Sequence, residues 1–86
     1  MIMGIAARRG VDRVNWFRVI MDLQYAGWPH TRLANELSVP LATLRGWKAG
    51  SEPAYIDGVR LIGQWATVTD REAAEVPMIS PFDWRA

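Results

Sequence analysis

The chain has 86 residues, 50% of them hydrophobic and 22% charged, which fits one globular domain and excludes a disordered polar chain. With no cysteine and one histidine, disulfides and thiolate metal sites are excluded, and His30 cannot build a metal centre unaided. The net charge is only +1, but residues 8–60 hold eight basic against five acidic side chains and residues 61–86 hold two against four. A polyanion-facing surface therefore belongs to the first two thirds.

Residues 1–7 are apolar, but Arg8 and Arg9 follow the run instead of preceding it, the reverse of a secretory signal. Residues 1–11 are therefore expected to form a flexible N-terminal arm, followed by a domain over 12–75. Trp16, Val19, Ile20 and Leu23 share one helical face, which predicts a helix over 12–26 with Asp12 as its N-cap and Gly27 in the left-handed position after it. Pro29 starts a second helix to Leu37, carrying His30, Leu33, Ala34 and Leu37 on its stripe. Ser38, Val39 and Pro40 interrupt it. A third short helix runs from Pro40 or Leu41 to Lys48, burying Leu44 and Trp47 and ending at Gly50. Pro53 opens a fourth, over 53–67, with Gly58, Leu61, Ile62 and Trp65 on one stripe, and 70–75 add a short turn.

From Val76 onward, Pro77 and Pro81 predict an extended tail over 76–86. No segment reads as a strand pair, so the fold class expected is all-α, a compact bundle of four to five helices. Trp16, Trp47 and Trp65 are read as core, and Trp28 as a cover for its end. The tail either folds back on its own domain or, through Met78, Ile79, Phe82 and Trp84, packs on a second copy. No apolar run approaches the roughly 18–20 residues that cross a bilayer, so no membrane partner is expected, and a cytoplasmic location is.

The stretch 27–50, with Leu33-Ala34, Val39, Leu44, Trp47 and Gly50, followed by Pro53 and Leu61, resembles the Cro and phage-repressor (XRE-like) helix-turn-helix family. The resemblance covers residues 14–66. It implies a lambda-repressor-like fold and a transcriptional regulator, repressor-like, that binds double-stranded DNA as a homodimer in a bacterium or phage-infected cell. The second helix of the motif, 40–48, would enter the major groove while the first crosses the backbone. Three departures stand out. Pro29 stands at a helix start where the family usually carries a polar cap. Ser38 occupies a turn position where the family usually has glycine, and the groove-facing positions carry few polar side chains.

On that reading Arg45 is the candidate for a bidentate guanine contact, worth about 1–3 kcal/mol of discrimination. Leu41 and Ala42 are candidates for thymine methyl groups, and Gly46 for close approach to the bases. Thr31, Arg32, Thr43 and Lys48 are candidates for phosphate contacts that fix register. Arg8, Arg9 and Arg13 form a candidate arm along the backbone or minor groove. His30 is read as structural. A rival reading is a protein-interaction module on the same scaffold, antitoxin-like or a phage adaptor, which the apolar recognition face favours. An enzyme is not expected, because the sequence holds no glycine-rich phosphate loop and no evident catalytic set, and no cofactor or metal is expected either.

Overall fold

Apolar residues at helical spacing require four helices to bury them, and four are present in the computed structural model, which describes residues 13–79. They are α1 (Trp16–Tyr25), α2 (His30–Leu37), α3 (Leu41–Lys48) and α4 (Tyr55–Thr69), followed by a 3-10 turn, Ala73–Glu75. The predicted stripes become the core: Val19, Ile20 and Leu23 from α1, Leu33, Ala34 and Leu37 from α2, Leu44 and Trp47 from α3, Leu61 and Trp65 from α4. Each large aliphatic side chain buried this way contributes about 1.5–3 kcal/mol. Trp16 and Trp28 are half-buried and pack against that core from outside.

All four helices end in the same way. A residue with positive φ follows the last turn: Gly27 (+101°), Ser38 (+58°), Gly50 (+126°) and Asp70 (+58°). The next residue then donates its backbone N–H five residues back, from Trp28 to Leu23, Val39 to Ala34, Ser51 to Gly46 and Arg71 to Ala66, at 2.9–3.0 Å. The motif satisfies carbonyls that the helix end would otherwise leave open. Ser38 and Asp70 adopt the left-handed conformation without the freedom of glycine, which costs each of them about 1 kcal/mol.

The starts correct three expectations. Helix α1 begins at Trp16, not near Asp12, which lies outside the described residues; Asn15 caps it by accepting from the Arg18 N–H at 3.0 Å. Pro29 occupies the N-cap position of α2, just outside the helix, while α3 starts at Leu41, one of the two starts expected, with Pro40 as its N-cap. Helix α4 begins at Tyr55, two residues after Pro53, with Ala54 as N-cap.

The all-α expectation also needs correction, because the molecule is mostly helical with one small sheet. Strands β1 (Arg13–Val14) and β2 (Met78–Ile79) pair antiparallel, Arg13 with Ile79 and Val14 with Met78, and the Asn15 N–H donates to the Pro77 carbonyl at 2.8 Å. Residues 76–79 thus return to the start of α1, so this part of the tail folds back on its own domain, the first of the two alternatives. Two-residue strands are too short to show a period of two, so no sequence pattern announces them. Phe82 and Trp84 lie outside the described residues.

Polar contacts lock α1 to α4. The buried Trp65 indole donates to the Asp22 carboxylate at 3.0 Å, and Asp22 also accepts from Arg18 at 3.1 Å. Gly58, buried on α4, faces the Trp16 ring so closely that a Cβ there would sit 3.2 Å from it. A side chain at that position would push the tryptophan away.

Candidate nucleic-acid interface

Helices α2 and α3 are joined by three residues, 38–40, and pack on each other through Leu33, Ala34, Leu37 and Leu44. The small Ala34 side chain leaves room for that approach. With their apolar stripes turned inward, the remaining positions face outward. Thr31 and Arg32 are exposed in the first turn of α2, and Ala42, Thr43 and Arg45 are exposed along α3. Neither N-terminus is closed by a side chain, because Pro29 and Pro40 make no cap bond and neither first turn holds an acid. The free N–H groups of both first turns therefore remain available to solvent or to an anion.

Charge is distributed unevenly. The ion pairs among the described residues are Arg13–Glu52 at 2.7 Å, Arg18–Asp22 at 3.1 Å and Arg71–Glu75 at 3.8 Å, all outside α2 and α3. Arg32, Arg45, Lys48 and Arg60 have no carboxylate partner among the described residues, and three of these four lie on α2 and α3.

These cations are not equally free. Arg45 is exposed. Arg32 lies over the Trp28 ring, 3.9 Å from its centroid, and reaches the Gly27 carbonyl at 3.4 Å. Lys48 is half-buried: its Nζ lies 3.4 Å from Gln24 Oε1, 3.4 Å from His30 Nε2 and 5.6 Å from the centre of the Phe17 ring. It is folded back over α1, and a phosphate contact would require it to swing outward. Leu41 is also shared, being half-buried against the core. Gly46 faces the α3–α4 connection, where a Cβ would meet Ser51 Oγ at 3.7 Å. It does not simply present a bare backbone outward.

Sequence reasoning missed the part played by Gln24 and His30. The Gln24 amide nitrogen lies 2.5 and 2.9 Å from the two His30 ring nitrogens, and Lys48 approaches the same ring. Partial burial, then the charges of Lys48 and Arg45, lower the His30 pKa from its ordinary value, so the ring is neutral at pH 7. His30 was visible in the sequence as the first residue of a helix. Its link to Lys48 depends on how α3 packs against α2, which no local pattern records.

The candidate arm is divided. Arg8 and Arg9 lie outside the described residues, whereas Arg13 belongs to β1 and not to an arm, and bonds Glu52 through Nε at 3.2 Å and Nη2 at 2.7 Å. Glu52 also accepts from the Trp16 indole at 3.3 Å, and the Arg13 bonds hold its carboxyl below the usual carboxylate range. Among the described residues no group of three or more metal-ligating side chains gathers, and no helix is long and apolar enough to cross a membrane. Comparison with protein families, with characterised proteins and with solved structures finds no match.

Proposed function

We propose that this chain is a sequence-specific double-stranded DNA-binding regulator, repressor-like, in which α2 and α3 act as a helix-turn-helix of the Cro and phage-repressor kind. The observation that carries the reading is the concentration of cations without carboxylate partners on α2 and α3, beside two helix N-termini left open to anions. Phosphates satisfy both features at once, and a duplex presents them in rows. Helix α3 lies in the major groove with Ala42, Thr43 and Arg45 towards the bases, and Arg45 supplies the main hydrogen-bonding readout. Thr31 and Arg32 fix the register on the backbone. With so little polar readout, DNA shape carries part of the specificity. The protein acts as a homodimer in the cytoplasm of a bacterium or a phage-infected cell.

A salt titration of binding to random duplex DNA tests this directly. Affinity is expected to fall steeply with salt, and Arg32→Ala is expected to reduce the slope by about one phosphate contact, with Lys48→Ala reducing it by less because Lys48 is turned back over α1. A folded protein that shows no salt-dependent binding at low ionic strength overturns the reading. The second reading, a protein-interaction module on the same scaffold, is favoured by the outward Ala42 and Ala49, which leave Arg45 as the only charged side chain on the exposed face of α3. That reading predicts a folded protein indifferent to DNA.

A further inference from the structure

The chain has a single lysine, Lys48; its other basic side chains are arginines. Lys48 closes α3, and its ammonium lies in a corner to which three helices contribute one polar side chain each: Gln24 from the last turn of α1, His30 from the first position of α2, and Lys48 itself. All three are half-buried. The ammonium donates to the Gln24 carbonyl oxygen at 3.4 Å and lies 3.4 Å from His30 Nε2, while the Gln24 amide nitrogen lies 2.9 Å from the same ring nitrogen. Phe17, two turns before Gln24 on α1, turns its ring towards the ammonium, 5.6 Å from the centroid.

Every one of these partners is neutral. Lys48 has no carboxylate partner among the described residues, and the His30 ring is uncharged at pH 7. A long hydrogen bond to a neutral oxygen, or an ammonium over a half-exposed ring, each shifts a conformational equilibrium by a factor of about two to ten. That holds a flexible four-carbon stem when nothing better is offered. It does not hold it against a phosphate, whose ionised oxygens accept far stronger bonds from an ammonium. A carboxylate at position 24 would keep Lys48, and an apolar side chain would leave it free for any polyanion. Glutamine stands between the two.

An anion also has a place to arrive. The first turn of α2 begins at His30 and has no capping side chain, so its N–H groups are open. The ammonium is already beside the His30 ring, so a short swing of the stem carries it from Gln24 to an anion on that turn.

We propose that Gln24 is a positioning residue that holds Lys48 back from the DNA backbone, so that each phosphate contact by Lys48 is made in competition with the Gln24 oxygen. Gln24 itself reads no base; it sets how much of the lysine's charge the duplex receives. A phosphate contact carries no sequence information, so the restraint acts equally on random and selected duplexes. The partner, DNA, rests on the reading given above, whereas the hold on Lys48 is a property of the free protein.

Two measurements on the full chain test it, using Gln24→Leu, with Gln24→Met beside it as a straight-chain alternative and circular dichroism melts as the folding control. The first needs no DNA. With one lysine in the chain, acetylation read by peptide mass spectrometry reports the freedom of that one ammonium. Lys48 is expected to react several-fold faster in Gln24→Leu than in wild type, and an unchanged rate overturns the proposal. The second is a salt titration with random duplex DNA. Gln24→Leu is expected to bind about threefold to tenfold more tightly at low salt, with a steeper slope. Adding Lys48→Ala to it is expected to remove that gain and to lower the slope by about one phosphate contact, more than Lys48→Ala does in wild type. Unchanged or weaker binding by Gln24→Leu overturns the proposal, as does a gain that survives Lys48→Ala. Faster acetylation with no salt-dependent binding by any of the folded proteins keeps the hold on Lys48 and removes the DNA reading, so the two failures are distinguishable.

Discussion

Helices α1 and α4 direct their polar groups at each other. Asp22 takes the Trp65 indole and the Arg18 guanidinium, and Gly58 makes room for the Trp16 ring. Helices α2 and α3 are eight residues each, are capped by prolines that make no side-chain bond, and carry cations without carboxylate partners among the described residues. One pair is closed on itself and the other is open. An isolated eight-residue helix is unstable in water, so α2 and α3 persist because their apolar stripes are buried against the longer pair. The carboxylates therefore serve the long helices and the loops beside them, whereas Arg32 and Lys48 of the short helices find only neutral partners and Arg45 is exposed without one.

Substitutions that separate stability from binding sharpen this contrast. The largest expected effect is at Trp65, fully buried on α4: Trp65→Ala is expected to cost about 3–5 kcal/mol in urea unfolding. Any DNA affinity measured on the fraction that remains folded should be unchanged. Arg45→Ala should do the reverse. It is expected to lose about 1–3 kcal/mol of discrimination for a selected duplex site, with unfolding changed by no more than about 0.5 kcal/mol. Equal losses in both measurements would erase the distinction between the pairs.

Ser38 lies within the open pair and is strained by its left-handed conformation. Ser38→Gly is expected to stabilise the protein by about 0.5–1 kcal/mol, raising the melting temperature by a few degrees. A loss of stability would mean that the serine makes a compensating contact.

His30 gives a pH test. Its folded pKa lies below the ordinary value of about 6.5, so the unfolded chain binds protons first and stability is full above that value. It falls as pH drops through the folded pKa, and His30→Gln should flatten this part of the profile. Phosphates on α2 would favour the charged ring, so DNA binding is expected to take up protons and strengthen as the pH falls below about 6.5. Fluorescence titrations at two pH values check this.

The smallest effect belongs to the closed side. Glu52 is depressed mainly by its bond to Arg13, so its contribution is present above the unfolded carboxyl value and disappears as acid protonates it. Both partners are more than half exposed, which limits the pair to a few tenths of a kcal/mol. Glu52→Gln should therefore lower stability slightly at pH 7, and by less as falling pH protonates the folded carboxyl.

The sequence made the inner faces legible and left the ends obscure. Val19, Ile20, Leu23, Leu33, Leu37, Leu44, Leu61 and Trp65 follow the helical period, and burial enforces that period along the chain. Asp12 and Asn15 are both capable caps by residue type, and Asn15 caps α1, directly after the two residues that β1 takes. The ladder itself is invisible because backbone groups make it. In the candidate interface, helical position fixed which way Arg45 and Thr43 face. It did not fix Lys48, whose long side chain turns back towards Phe17 and Gln24 on α1 and His30 at the start of α2.

The β1–β2 ladder also sets an order of events. Arg13 with Ile79 and Val14 with Met78 join the first and last described elements, so the ladder closes nearly the entire described chain into one loop. The helices need only near neighbours, whereas this pairing must wait until the segments between are already compact. It is therefore expected to form last and open first, and its few amides should exchange hydrogen long before those of the core. Opening the clasp frees Arg13 from its strand and loosens its hold on Glu52, while the four-helix body stays intact.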